Sequence, residues 1–383
     1  MNYRTHIVSS LSEIGQADWD AIVALQQGPG AAANPFLSFA FLHALHESGS
    51  ATPETGWQPQ YIALYDTDER LAAALPMYVK SHSYGEYVFD WAWANAYQEH
   101  GLDYYPKLLS AIPFTPVSGP RLLARDARAR AALVDALART QKATDVSSTH
   151  VLFPPDEQAQ QLADAGFLLR SGVQFHWMNA GYATFDDFLA TLEQKKRKNI
   201  RAERRKVREA GVVLRRVRGR EIEDADWRLF TRCYRNTYAE HFSKPYLNLD
   251  FFRRIGKTMP DNLLLVIAER SGEPIAASLV VHDATTLYGR YWGALEHVPC
   301  LHFETAYYQP LEFCIEQGIQ VFEGGAQGEH KMARGFLPTR TWSAHWLAHP
   351  SFADAVERFL ERETGGIDDY IDELNDRNPF RQV

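Results

Sequence analysis

One pattern occurs twice in this chain of 383 residues. Residues 62–75 read IALYDTDERLAAAL, and residues 266–279 read VIAERSGEPIAASL. Each is an apolar run, a short polar turn, and a second run opening on an aliphatic residue and two alanines, the pattern of a β-hairpin. Glu69 aligns with Glu273, Ala72 with Ala276, Ala73 with Ala277 and Leu75 with Leu279, at an offset of 204. A second echo, YYPKL from Tyr104 against YYQPL from Tyr307, has an offset of 203. Two echoes in one order predict two copies of one module. The length suits that reading, at ~100–200 residues per domain.

The second copy is the more legible. Thr184 followed by Asp187 opens a helix, which the pattern carries through a basic stretch to Gly211. Its apolar stripe is narrow, so most of its surface is expected to face solvent or a ligand. A strand is predicted over 212–217, helices over 222–240 and 249–258, and a three-strand meander over 262–293. A helix over 301–317, a strand over 319–323, the loop GGAQGEHKMARGF, a strand over 341–347 and a final helix from Ser351 follow. The first half shows a blurred version: a strand at 4–8, helices near 17–26 and 37–47, a meander within 59–90 and a helix near 101–111. Trp91 and Trp93 read there as alternating positions of a strand.

Charge is unevenly spread. Between Lys195 and Arg220 stand 13 Lys and Arg against Glu203 and Glu209, a local +11, leaving −19 for the rest of a chain whose net charge is −8. Such an arm is self-repelling and attracts polyanions. With 45% hydrophobic and 23% charged residues, the chain is neither disordered nor of low complexity. Its three cysteines are far apart, which excludes a disulfide framework. Neither a long apolar span nor a signal-peptide start is evident, so a cytoplasmic protein is expected.

The element order resembles the GNAT acyltransferase fold, and twin copies in one chain resemble the Fem-type aminoacyl-transferases of peptidoglycan biosynthesis. The closer resemblance is to the FemAB-like peptidoglycan biosynthesis/recognition branch. It rests on NPFLSFAFLHALHESG (34–49), YYPKLL and PFTPVSGPR (within 104–121), QFHWMNAGYATFDDFL (174–189), LYGRYWG (287–293), LHFETAYY (301–308) and FEGGAQGEHKMARGFLP (322–338). The resemblance implies two tandem GNAT-like α/β domains, 1–178 and 179–383, with a basic helical arm at 193–210. It also implies an N-acyltransferase that moves an acyl or aminoacyl group directly from an activated donor to an amine on a small molecule or peptide. The donor, aminoacyl-tRNA or acyl-CoA, would be a co-substrate, and no tightly bound cofactor is implied. The chain departs from ordinary GNAT enzymes after Gly293, where the Gly-rich pyrophosphate loop is replaced by ALEHVPCLHFETAYY. The basic arm suits aminoacyl-tRNA. The rival reading is a non-catalytic GNAT-like module that binds RNA or cell-wall fragments. A convergent pocket at Arg290, Glu304 and Glu329 would favour the enzyme, and a flat basic face with no pocket the module.

Acyl transfer needs a positioned carbonyl, donors for the oxyanion and a route for the amine proton. Glu329 and His330 are the first candidates for the proton, with Glu304 behind them. Donor-binding candidates are Lys195, Lys196, Arg197 and Arg201 on the arm, with Arg290, Gln327, Gly328, Lys331 and Arg334. Arg290 sits mid-strand, where it is costly unless paired, with an anionic ligand or with Glu304 or Glu323. Trp93, Tyr105, Lys107, Arg121, Tyr307 and Tyr308 are acceptor-binding candidates. The spacing of His302, Glu304, Glu329, His330 and His345 matches no standard zinc pattern, so no metal is expected.

Overall fold

The structure, a computed structural model, describes residues 3–26, 33–326 and 328–381. They fall into two compact units: residues up to 173 together with 340–371, and residues 174–339 together with the chain end from 372. The division therefore differs from a single cut at 178/179. The strand Leu337–Leu347 pairs Ser343–Leu347 with Ser148–Leu152, which returns the chain to the first unit.

In the first unit, strands Arg4–Val8, Tyr61–Tyr65, Leu71–Leu75 and Leu123–Ala124 form an antiparallel sheet in that order. In the second, Val212–Arg218, Leu263–Arg270, Glu273–His282 and Thr286–Ala294 form an antiparallel row in that order. The repeated sequence supplies the middle hairpin of each row. Both hairpins carry a register shift, between Leu64 and Tyr65 and between Ala268 and Glu269, again 204 residues apart. The second echo has no such counterpart. Tyr104 and Tyr105 precede a strand, whereas Tyr307 and Tyr308 lie in a helix.

Three local expectations need correction. The helix near 101–111 is instead the strand Lys107–Ser110, a short run buried throughout. Length separates the two: four buried residues after a proline suit a covered strand, not a helix. Trp91 and Trp93 lie on the helix Trp91–Glu99. The helix from Thr184 is broken at Leu192, whose ψ of 156° is extended, into Phe185–Thr191 and the basic helix Gln194–Glu209. Thr184 does cap the first, accepting from the Asp187 N–H at 3.1 Å, and Gly211 ends the basic helix region with φ +74°.

The helix Asp224–Glu240 packs on the Thr286–Ala294 strand. Asn236 donates to the Ala294 carbonyl at 2.7 Å and Thr237 to that of Trp292 at 3.1 Å. A Cβ at Gly293 would lie 2.0 Å from the Cys233 carbonyl oxygen, so only glycine fits. Among the described residues, no helix is long and apolar enough to cross a membrane.

Candidate functional site

In the second unit, the strands Thr286–Ala294 and Val321–Ala326 pair in parallel. Thr286, Leu287 and Tyr288 face Val321, Phe322 and Glu323, and the pairing ends there. Beyond it, the Thr286–Ala294 strand stays with Glu273–His282 while Val321–Ala326 runs on against Gln174. Arg290 bridges the two strands where they part. Its guanidinium donates to the Gly289 and Glu323 carbonyls at 3.1 Å each and to the Glu323 carboxylate at 2.8 Å. Of the partners open to it in the sequence, Arg290 takes Glu323.

Four candidate groups gather beside this parting. The buried Lys331 donates from Nζ to the Gly325 carbonyl at 3.1 Å. Burial, then the charge of Arg290, pushes its amine down to about 7. Gly324 allows this approach: a Cβ there would meet the Lys331 side chain at 3.1 Å and the Phe175 carbonyl at 3.2 Å. Tyr307 Oη lies 3.3 Å from His330 Nε2. Partial burial, then Arg334 and Lys331, lowers the His330 imidazole below its ordinary range. Arg334 lies 3.5 Å over the Phe303 ring, donates to Tyr308 Oη at 3.0 Å and meets Glu203 at 2.8 Å. Tyr308 in turn donates to Glu203. Gly328, at φ +112°, opens the turn that carries His330 and Lys331. Gln327 lies outside the described residues.

The two candidate carboxylates have different partners. Glu329 is half exposed and pairs with Arg377 at 3.1 Å. Glu304 is buried and held bidentate by Arg204, at 3.1 and 2.9 Å, with Gln309 donating at 2.9 Å. Arg204 also reaches Glu312 at 2.6 Å. Glu304 begins a wide, five-residue π-type turn, Glu304–Tyr308, within the helical run from Leu301 to Gln317. Such turns often mark functional positions.

The basic helix has two faces. Glu203 and Arg204 tie it to the helical run just described. Arg201, Arg204, Arg205 and Arg208, spaced for one face, line a cavity of about 620 Å³ with Thr184, Phe185, Asp186, Leu189 and Glu312. Arg201 meets Asp186 at 2.9 Å. Lys195, Lys196 and Arg197 do not line it. Arg205 and Arg208 went unselected in the sequence, although their spacing from Arg201 was legible.

The first-unit candidates are mostly enclosed. Arg121 is fully buried and donates to the Val117 carbonyl at 2.6 Å and that of Gly119 at 2.9 Å, bracing its own loop. Lys107 is buried among Ser83, Glu86 and Asp90, at 2.7, 2.8 and 2.5 Å. Tyr105 Oη lies 2.9 Å from Ser83. Trp93 packs edge-on against His345, with ring centres 4.9 Å apart. Among the described residues, no group of His, Cys, Asp and Glu is arranged to hold a metal ion.

The mixed α/β architecture is that of FemX and L-PGS. FemX superposes with a TM-score of 0.57 over 93% of this chain and 100% of its own, at 11% identity. L-PGS from Bacillus licheniformis gives 0.51 over 87% and 99%, also at 11%. A tandem GNAT protein from the clavulanic acid biosynthesis pathway gives 0.49 over 91% and 99%, at 13%. Residues 10–382 match the FemAB-like family model, described as peptidoglycan biosynthesis/recognition, and the chain belongs to that family. No curated protein matches it.

Proposed function

We propose that the protein is an N-acyltransferase of peptidoglycan biosynthesis, moving an acyl or aminoacyl group directly from an activated donor to an amine. The observation that carries this reading is the parting of the parallel strand pair beside Lys331, His330 and Tyr307. A lysine amine near pH 7 and an imidazole of lowered basicity are both able to take the proton that the attacking amine must lose. Proton handling therefore goes to His330 and Lys331. Glu329 faces Arg377, and Glu304 is engaged by Arg204. Arg290 and Arg334 are each paired with a carboxylate, Glu323 and Glu203, so they supply hydrogen-bond donors beside the parting rather than net positive charge. The arginine cavity of the basic helix supports an anionic donor carrier, with aminoacyl-tRNA and acyl-CoA as the two candidates.

The test offers purified protein a labelled aminoacyl-tRNA pool and, separately, labelled acyl-CoA, with an amine-bearing muropeptide as acceptor. His330→Gln and Lys331→Met are each expected to lower turnover by roughly 10²–10⁴. If neither donor supports transfer, or both variants match the wild type, the reading fails.

A further inference from the structure

The sheet of the first unit carries an unusual face. Lys80 lies directly opposite Trp57 on one neighbouring strand and Lys107 on the other. Leu109, two residues beyond Lys107, pairs with His150, and His150 with His345. Cross-strand partners share a face, so two lysines, two histidines and a tryptophan stand on one side of this sheet. All are buried, although an interior sheet face is ordinarily apolar.

The cover over that face is the segment from Ser83 to Tyr105. It supplies Ser83, Glu86, Asp90 and Tyr104. Glu86 and Asp90 accept from Lys107, Tyr104 donates to Asp90 at 2.7 Å, and Tyr104 Oη lies 3.2 Å from His150 Nε2. The His150 and His345 Nδ1 atoms are 2.7 Å apart. Every carboxylate meeting these lysines thus belongs to the cover and every cation to the sheet. The fit is incomplete. Lys80 Nζ, Glu86 Oε1 and Asp90 Oδ1 are buried without a hydrogen bond, and Lys80 comes no nearer to Glu86 than 3.9 Å. Burial pushes the Lys80 amine down and the Glu86 carboxyl up, each to about 7. Unsatisfied buried polar groups are costly, and in native proteins they call for an explanation. The outer side of the cover is apolar and exposed at Tyr84, Phe89, Trp91 and Leu102, and its backbone turns at Gly85 and Gly101, both with positive φ.

We propose that this sheet face is a binding site for a small phosphate-class oxyanion, and that Glu86 and Asp90 occupy the anion's place while the Ser83–Tyr105 segment is closed. Lifting the segment removes two carboxyl groups and leaves Lys80, Lys107, the imidazoles and Ser148 Oγ facing outward, a donor set suited to phosphoryl oxygens. Lys80 is then explained: in the closed state its amine has the Trp57 ring at 3.7 Å and the Glu86 carboxyl at 3.9 Å but no hydrogen-bond acceptor. The inference goes beyond the transfer reading and does not rest on it, because every residue involved belongs to the first unit.

The experiment measures binding by calorimetry, without turnover. Phenyl phosphate and pyrophosphate are the probes, and benzoate is the carboxylate control. Hydrogen exchange over residues 83–105 and the melting temperature are followed alongside. Wild-type protein is expected to bind the phosphates at least tenfold more tightly than benzoate, with faster exchange in the segment. Lys80→Met is expected to lose that binding at least tenfold while melting no lower than wild type, since methionine keeps an apolar contact with the Trp57 ring and removes a buried amine that has no hydrogen bond. Glu86→Gln, which weakens the competing occupant, is expected to tighten binding severalfold. Equal phosphate affinity in wild type and Lys80→Met overturns the proposal. So does absent phosphate binding in both wild type and Glu86→Gln. A segment as protected with probe as without it also overturns the proposal. Preference for benzoate assigns the face to carboxylates and refutes the phosphate class.

Discussion

Glu304 was legible as a candidate base, and the structure gives it a different occupation that can be measured. Its side chain is 5% exposed and that of Arg204 is 16% exposed, with two hydrogen bonds between them. Removing one member of a buried ion pair costs ~3–5 kcal/mol because the other charge stays behind. Here Glu312 remains on Arg204 at 2.6 Å, and a glutamine would keep one acceptor oxygen. Glu304→Gln is therefore expected to cost about 2–3 kcal/mol. Arg204→Met strands two carboxylates and is expected to cost about 3–4 kcal/mol. The double variant is expected to lose about 2 kcal/mol less than the sum of the single losses, because the pair's interaction can be lost only once. Urea unfolding of the four proteins, with transfer measured per folded molecule, completes the cycle. A Glu304→Gln change below about 1 kcal/mol, the range of an exposed pair, would falsify the structural role. If transfer also fell a hundredfold in that protein, Glu304 would return to the proton-handling set.

Lys331 supplies a pH test. Its folded value is lowered from 10.5 to about 7, so only the unfolded chain readily takes the proton between those limits. The side chain therefore costs increasing stability as pH falls from 10.5 to 7. After the loss of the Gly325 hydrogen bond, Lys331→Met is expected to gain on the order of 1–3 kcal/mol at pH 7 and little near pH 10. Melting curves at both pH values check this, and a gain independent of pH contradicts it. Burial holds His150 down to about 3 and His345 well below its usual range. Stability from this pair is present above pH 6.5 and lost as pH falls toward 3, by up to ~1.4 kcal/mol per pH unit for each ring. His46 and His302, also lowered to about 4, add to the same slope. His345→Gln is therefore expected to reduce the slope of stability against pH between 4 and 6 by one ring's share, up to ~1.4 kcal/mol per pH unit, and an unchanged slope removes the pair from the explanation. Arg205→Ala with Arg208→Ala is expected to flatten the log–log salt dependence of polyanion binding by about 1.5–2, and Lys195→Ala with Lys196→Ala by less. Equal effects in filter binding would show that the cavity has no privileged role.

What the sequence revealed followed from local pattern. The hairpins at 62–75 and 266–279 could be read because alternating burial and a polar turn are set within a dozen residues. The basic helix could be read from charge density. Arg290 could be narrowed to two carboxylate partners because a mid-sheet guanidinium demands one. What stayed hidden depends on distant residues. Glu329 turns outward to Arg377, 48 positions on, and nothing in GEHKMAR signals that. The break at Leu192 escaped because Leu192 itself is a good helix former. The ionisable sheet face of the first unit draws on residues 80, 107, 150 and 345, and strand register alone joins them. One cue was present: in Ser148–Leu152, Ser148 and His150 alternate with Thr149 and Val151, so one face of that strand is polar.

The order in which the chain is made also matters. The first unit is not complete when its first 173 residues have been synthesised, because residues 340–371 belong to it. Until then, Ser148–Leu152 lacks the neighbour that Ser343–Leu347 will provide, and it stands as a bare strand edge of the kind that recruits other chains. Domains generally fold from the N-terminus during synthesis, but this one waits until residues 340–371 have been made. A fragment ending at residue 178 carries that exposed edge permanently. The natural unit of expression is the intact chain, and a nonsense change anywhere before the final strand disables the first unit as surely as the second.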